Sequence, residues 1–133
     1  MAIPRIPLGP APFGGFVLDA GLGQLPQGGD GITAHAGGGQ ANATQLPGLM
    51  NRVTVCATTG DSVLLPLALV GLPIVVYNAG AASCNVFASP TGVSGTGDGI
   101  NAGPTGTAFA VAAGKSAVFA CPAPGVWASI LSA

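Results

Sequence analysis

From Arg52 onward the chain alternates apolar and polar positions in short runs divided by turn-forming residues. The run Arg52 to Thr58 places Val53 and Val55 between polar neighbours, the pattern of a strand with one buried face. Thr59-Gly60-Asp61 supplies a turn, and Ser62 to Val70 and Leu72 to Asn78 follow as two apolar strands close to the core. Ala79-Gly80-Ala81-Ala82 breaks the pattern before a short strand from Cys84 to Ala88. Residues 91–106 hold six glycines around Ile100 and read as a long loop and candidate contact surface.

Thr107 to Ala112 carries Phe109 and Val111 on one face, Ala113-Gly114-Lys115 turns, and Ser116 to Cys121 sets Ala117, Phe119 and Cys121 on one face. The two runs read as a hairpin. After Pro122-Ala123-Pro124-Gly125, the last run, Val126 to Ser132, opposes Trp127, Ser129 and Leu131 to Val126, Ala128 and Ile130. Strands recurring every 8–12 residues or so predict an all-β domain over residues 51–133, an antiparallel β-sandwich or barrel.

Residues 1–50 lack this alternation. Their prolines and glycines disfavour helix and predict an extended arm with loops. The arm is apolar where an ordinary linker is polar. Ile3, Ile6, Phe13, Phe16, Leu18 and Leu22 are the residues expected to dock it onto a protein surface.

Charge changes the picture most. Only Arg5, Arg52, Lys115, Asp19, Asp30, Asp61 and Asp98 ionise at neutral pH, 5% of the chain, against about 25% in an ordinary soluble domain. Surface charge keeps proteins apart in solution, so this exterior is expected to be covered by partners. Three scattered cations form no basic patch, which argues against nucleic acid and against anionic membrane surfaces. The longest apolar run, Val63 to Tyr77, is interrupted by Pro66, Gly71 and Pro73 and does not read as a membrane span. Met1 to Pro12 has no apolar core of a secretory signal, so the chain is expected to stay in the cytoplasm where it is made.

Candidate chemistry is sparse. Cys56, Cys84 and Cys121 sit in apolar contexts without a CxxC pair and read as reduced core thiols, not a zinc site. His35 lies in Ala34-His35-Ala36-Gly37, which aims it at no nucleophile, and Asp61 and Asp98 read as turn formers. Gly95-Thr96-Gly97-Asp98-Gly99 lacks the further carboxylates of a calcium loop and the Gly-Lys-Ser/Thr of a phosphate loop. Asn42-Ala43-Thr44 matches a glycosylation sequon by coincidence. Trp127 reads as a core or interface anchor, with sugar stacking, Tyr77 beside it, as the lesser reading. No catalytic, cofactor-binding or metal-binding residue is expected, and the chain is not expected to be an enzyme.

Several segments together carry a family resemblance: Asp61 to Pro66, Gly71 to Gly80, Asp98-Gly99-Ile100-Asn101, Ala113 to Phe119 and Gly125-Val126-Trp127. In these turns and alternations the chain resembles small structural proteins of tailed bacteriophages, in particular capsid cement or decoration proteins. The resemblance implies an antiparallel, jelly-roll-like β-sandwich on the capsid surface of the virion, assembled in the host cytoplasm. It would clamp neighbouring subunits of the major capsid protein and self-associate as a dimer or trimer. The alternative is a phage tail or fibre module that contacts a host surface glycan through Trp127 and the 91–106 loop.

Overall fold

The computed structural model describes residues 27–133, and over them the chain is all-β with two sheets. In chain order the strands are β1 (Gly28–Thr33), β2 (Thr44–Gln45), β3 (Met50–Val55), β4 (Ser62–Leu64) and β5 (Pro73–Asn78). They continue with β6 (Cys84–Phe87), β7 (Gly99–Ile100), β8 (Phe109–Val111), β9 (Ser116–Ala123) and β10 (Val126–Leu131). The larger sheet has the order β1-β3-β5-β9-β10-β7 and the smaller one β2-β4-β6-β8.

The chain passes from one sheet to the other and back in regular coils. β1, β3 and β5 lie side by side and parallel in the larger sheet. β2, β4 and β6 do the same in the smaller sheet. This is the course of a two-sheet β-solenoid, in which each coil rests on its neighbours. The repeat then ends by reversal: β8 runs antiparallel to β6, and β9 antiparallel to β5. β9 turns through Pro124-Gly125, with Gly125 at φ 76°, into β10, and β7 closes the edge parallel to β10.

The expected antiparallel, jelly-roll-like sandwich is therefore corrected to two sheets dominated by parallel coils. Alternation reports which face of a strand is buried and says nothing of its neighbour's direction. The expected hairpin of Thr107–Ala112 with Ser116–Cys121 is corrected as well. β8 and β9 belong to different sheets, and Gly114 (φ 76°) carries the chain between them.

Residues 28–50, expected as arm and loops, supply β1 and β2 and bury Ile32, Ala34 and Leu46 in the core. Glycines in β1 hide its alternation, while its parallel pairing with β3 holds it in place. Strand β4 stops at Leu64, short of the expected Val70, because Pro66 has no N–H to continue a ladder.

The core lies between the sheets. Trp127, Phe119, Leu65, Ile74, Val53 and Val63 are all fully buried, and the rings of Phe109 and Phe119 meet edge to face at 5.4 Å. Buried asparagines fasten the corners. Asn78 Nδ2 donates to the Ala82 and Val111 carbonyls, both at 2.8 Å, and its Oδ1 accepts from Gly80 N at 2.9 Å. Gly80 lies so close to the preceding coil that a Cβ there would sit 2.6 Å from Cys56 N.

Candidate functional site

Strands β3, β5, β9 and β10 bury Val53, Ile74, Val76, Phe119 and Trp127 on their inner face, so the intervening residues point outward. An exposed sheet face is ordinarily polar. Here the register sets Met50 beside Val75, Val75 beside Val118, and Val118 beside Ile130. Met50 is 58% exposed, Val118 40% and Ile130 73%, with Val75 half-buried between them. A second row places Pro73 beside Ala120 and Ala120 beside Ala128. The larger sheet thus carries an apolar stripe across four adjacent strands on its outer side. Contiguous exposed apolar surface of this kind marks sites of association.

At the β1 end the stripe runs into an open depression of about 440 Å³ lined by Gly28, Gly29, Asp30, Met50, Asn51, Arg52, Val75 and Tyr77. Arg52 Nη1 and Asp30 Oδ1 pair across its rim at 2.8 Å. The Arg52 guanidinium, and then the Gly31 amide, hold the Asp30 carboxyl below its ordinary value. Both side chains are largely exposed, so the pair neutralises local charge and adds little stability. It leaves the depression nearly uncharged.

Residues far apart in sequence meet where His35 and Ser62 exchange backbone hydrogen bonds, at 2.9 and 3.0 Å. Asp61 lies beside them, so a histidine, an aspartate and a serine gather, a meeting that sequence spacing does not reveal. The Asp61 carboxylate is committed to the backbone: it accepts from Gly37 N at 3.1 Å, Ala57 N at 2.9 Å and Thr58 N at 3.0 Å. These amides, Thr58 foremost, hold its carboxyl below the ordinary carboxylate value, and nearby His35 adds a smaller pull. Ser62 Oγ is buried without a hydrogen-bond partner among the described residues, while His35 is exposed. The cluster joins two loops and presents no aligned nucleophile and base.

The stabilisation from Asp61 is complete above the ordinary carboxylate pKa and disappears as pH falls through its depressed folded value. Asp61→Asn is therefore expected to lower the urea midpoint at neutral pH. The gap from wild type closes in strong acid, as urea titrations at the two pH values will read.

Asp98, expected as a turn former, is fully buried. Its Oδ2 accepts from Ala68 N at 2.9 Å, and its Oδ1 lies where a Cβ on Gly92 would come within 2.5 Å. Gly92 thus serves close packing around a carboxylate, and Gly99-Ile100 of the 91–106 segment forms a strand. Cys56, Cys84 and Cys121 are free and buried. Burial, the largest cause, pushes the Cys84 thiol up to about 12 and raises Cys56 too, which keeps both protonated and unreactive.

Trp127 is 0% exposed and offers no face to a sugar ring, which corrects the expected glycan contact through that residue. Ile3, Ile6, Phe13, Phe16, Leu18 and Leu22 lie outside the described residues. No three histidine, cysteine or acidic side chains gather to hold a metal ion among the described residues, and no helix there is long and apolar enough to cross a membrane. The chain matches no protein-family model, no curated protein and no solved structure.

Proposed function

We propose that this chain is a structural component of a phage particle, attached to the assembled capsid, where it clamps neighbouring subunits of the major capsid protein. The observation that carries the proposal is the apolar stripe Met50, Val75, Val118 and Ile130, on a chain with only seven charged residues. Such a face gains free energy from being covered, at roughly 25 cal/mol per Å² of apolar area. Binding confined to the assembled shell stabilises that shell by mass action. Ile3, Ile6, Phe13, Phe16, Leu18 and Leu22 are proposed as a second contact, and self-association as a dimer or trimer uses the same stripe.

An apolar contact is nearly indifferent to salt, whereas a charged one weakens as ions screen it. Purified chain mixed with expanded, DNA-free heads of its own phage is therefore expected to co-sediment equally in dilute buffer and in molar sodium chloride. No binding at either concentration would refute the capsid assignment, and binding lost in salt would refute the apolar mode of attachment.

A further inference from the structure

The core holds two thiols side by side that the sequence keeps 28 positions apart. Cys56 follows β3 and Cys84 opens β6, so they belong to successive coils of the stack. Both are buried, and their sulfurs lie within hydrogen-bonding reach of one another.

The backbone around the pair is pinned from several sides. Ala82 N donates to Cys56 O at 2.9 Å. Gly80 lies so close that a Cβ there would come within 2.7 Å of the Cys56 Cβ. One aspartate holds the residue after each cysteine: Asp61 Oδ2 accepts from Ala57 N at 2.9 Å, and Asp61 O accepts from Asn85 N at 2.8 Å. A disulfide needs its two Cβ atoms brought near by the backbone, and this corner is held by bonds in which the sulfurs take no part.

Cys121 is placed elsewhere. Its amide donates to Leu72 O, just before β5 begins, whereas Gly80 and Ala82 follow the other end of that strand. The six residues of β5 put about 20 Å between its two ends. Cys121 Sγ donates instead to Ala123 O at 3.0 Å.

We propose that Cys56 and Cys84 form a disulfide when the chain folds in an oxidising medium, stapling two successive coils, while Cys121 stays a thiol. The oxidant is a small-molecule disulfide of the glutathione class. The thiolate of one cysteine attacks it, forms a mixed disulfide and releases one small thiol; the thiolate of the other cysteine then displaces the second. The chain gives up two protons and two electrons, and the oxidant leaves as two thiols. Closure belongs to folding, because burial in the finished core keeps both thiols protonated. In a reducing compartment the same chain keeps all three thiols free, the form described above. The proposal goes beyond the capsid reading and does not depend on it.

The test unfolds and reduces residues 1–133 in urea, dilutes them into oxidised and reduced glutathione, and alkylates the remaining thiols. Trypsin cleaves after Arg52 and Lys115, which puts Cys56 and Cys84 in peptide 53–115 and Cys121 in peptide 116–133. Mass spectrometry is expected to find 53–115 unalkylated and lighter by two hydrogen atoms, and 116–133 alkylated. Closing a loop of this length is expected to raise the folded-to-unfolded ratio about a hundredfold over that of the reduced chain, read as a higher urea midpoint. Recovery of 53–115 with alkyl groups or glutathione on its cysteines would overturn the proposal. So would a disulfide joining 53–115 to 116–133, or an oxidised chain no more stable than the reduced one.

Discussion

Replacing Trp127 by alanine is expected to destabilise the protein by about 3–5 kcal/mol. The side chain is fully buried, projecting inward from β10 among the core residues, and it is the largest such group in the fold. Aromatic residues are few, 5% of the chain, so little other large apolar surface remains to offset the cavity. Domains of this size are stable by only about 5–15 kcal/mol, and the variant will therefore show a large unfolded fraction at low urea.

Trp127→Phe should cost far less. Trp127 Nε1 has no hydrogen-bond partner among the described residues, and removing an unsatisfied buried donor recovers part of what the smaller ring loses. Equilibrium urea unfolding of the three proteins measures both effects. A Trp127→Ala variant within about 1 kcal/mol of wild type would show that the core is not organised around this residue.

The second large effect concerns association. Val118 and Ile130 face each other across β9 and β10 on the outer surface, so aspartates at both positions meet water in the isolated protein and leave the core untouched. At a covered interface the same carboxylates would be buried without partners, a penalty of several kcal/mol. Head binding by the Val118→Asp/Ile130→Asp variant is expected to weaken at least about a hundredfold, some 2.7 kcal/mol. Its circular dichroism should remain that of wild type. Thr59→Asp, on the exposed turn between β3 and β4, is the control and should bind normally. Equal binding of wild type and the double variant would place the contact elsewhere.

Much of the strand pattern was legible in the residues. Runs beginning at Arg52, Ser62, Leu72, Cys84, Thr107, Ser116 and Val126 each overlap a strand, because alternation with turn residues between is a local property. The direction of the neighbours was not legible. Whether Val63 pairs with Val86 in parallel or antiparallel depends on the path between them, and no side chain of either strand encodes it. β1 escaped because Gly28, Gly29 and Gly31 carry no side chains to alternate, and β7 because two residues make no pattern.

The candidate surface was half legible. Alternation alone puts Val126, Ala128 and Ile130 on one face of the last strand, opposite Trp127, and that division holds. The stripe itself joins residues 50, 75, 118 and 130, whose adjacency exists only once the register of four strands is fixed. In the sequence the leading segment stands out instead, with apolar residues among prolines and glycines. The gathering of His35, Asp61 and Ser62 depends on a single bridge between distant segments and left no local sign.

Sedimentation velocity of purified residues 1–133 shows whether copies of the chain cover the outer apolar face of the larger sheet. The sedimentation coefficient is expected to rise with concentration toward a dimer or trimer, while Val118→Asp/Ile130→Asp remains a monomer throughout. A wild-type chain that sediments as a single monomer at every concentration, with its stripe open to water, would contradict it.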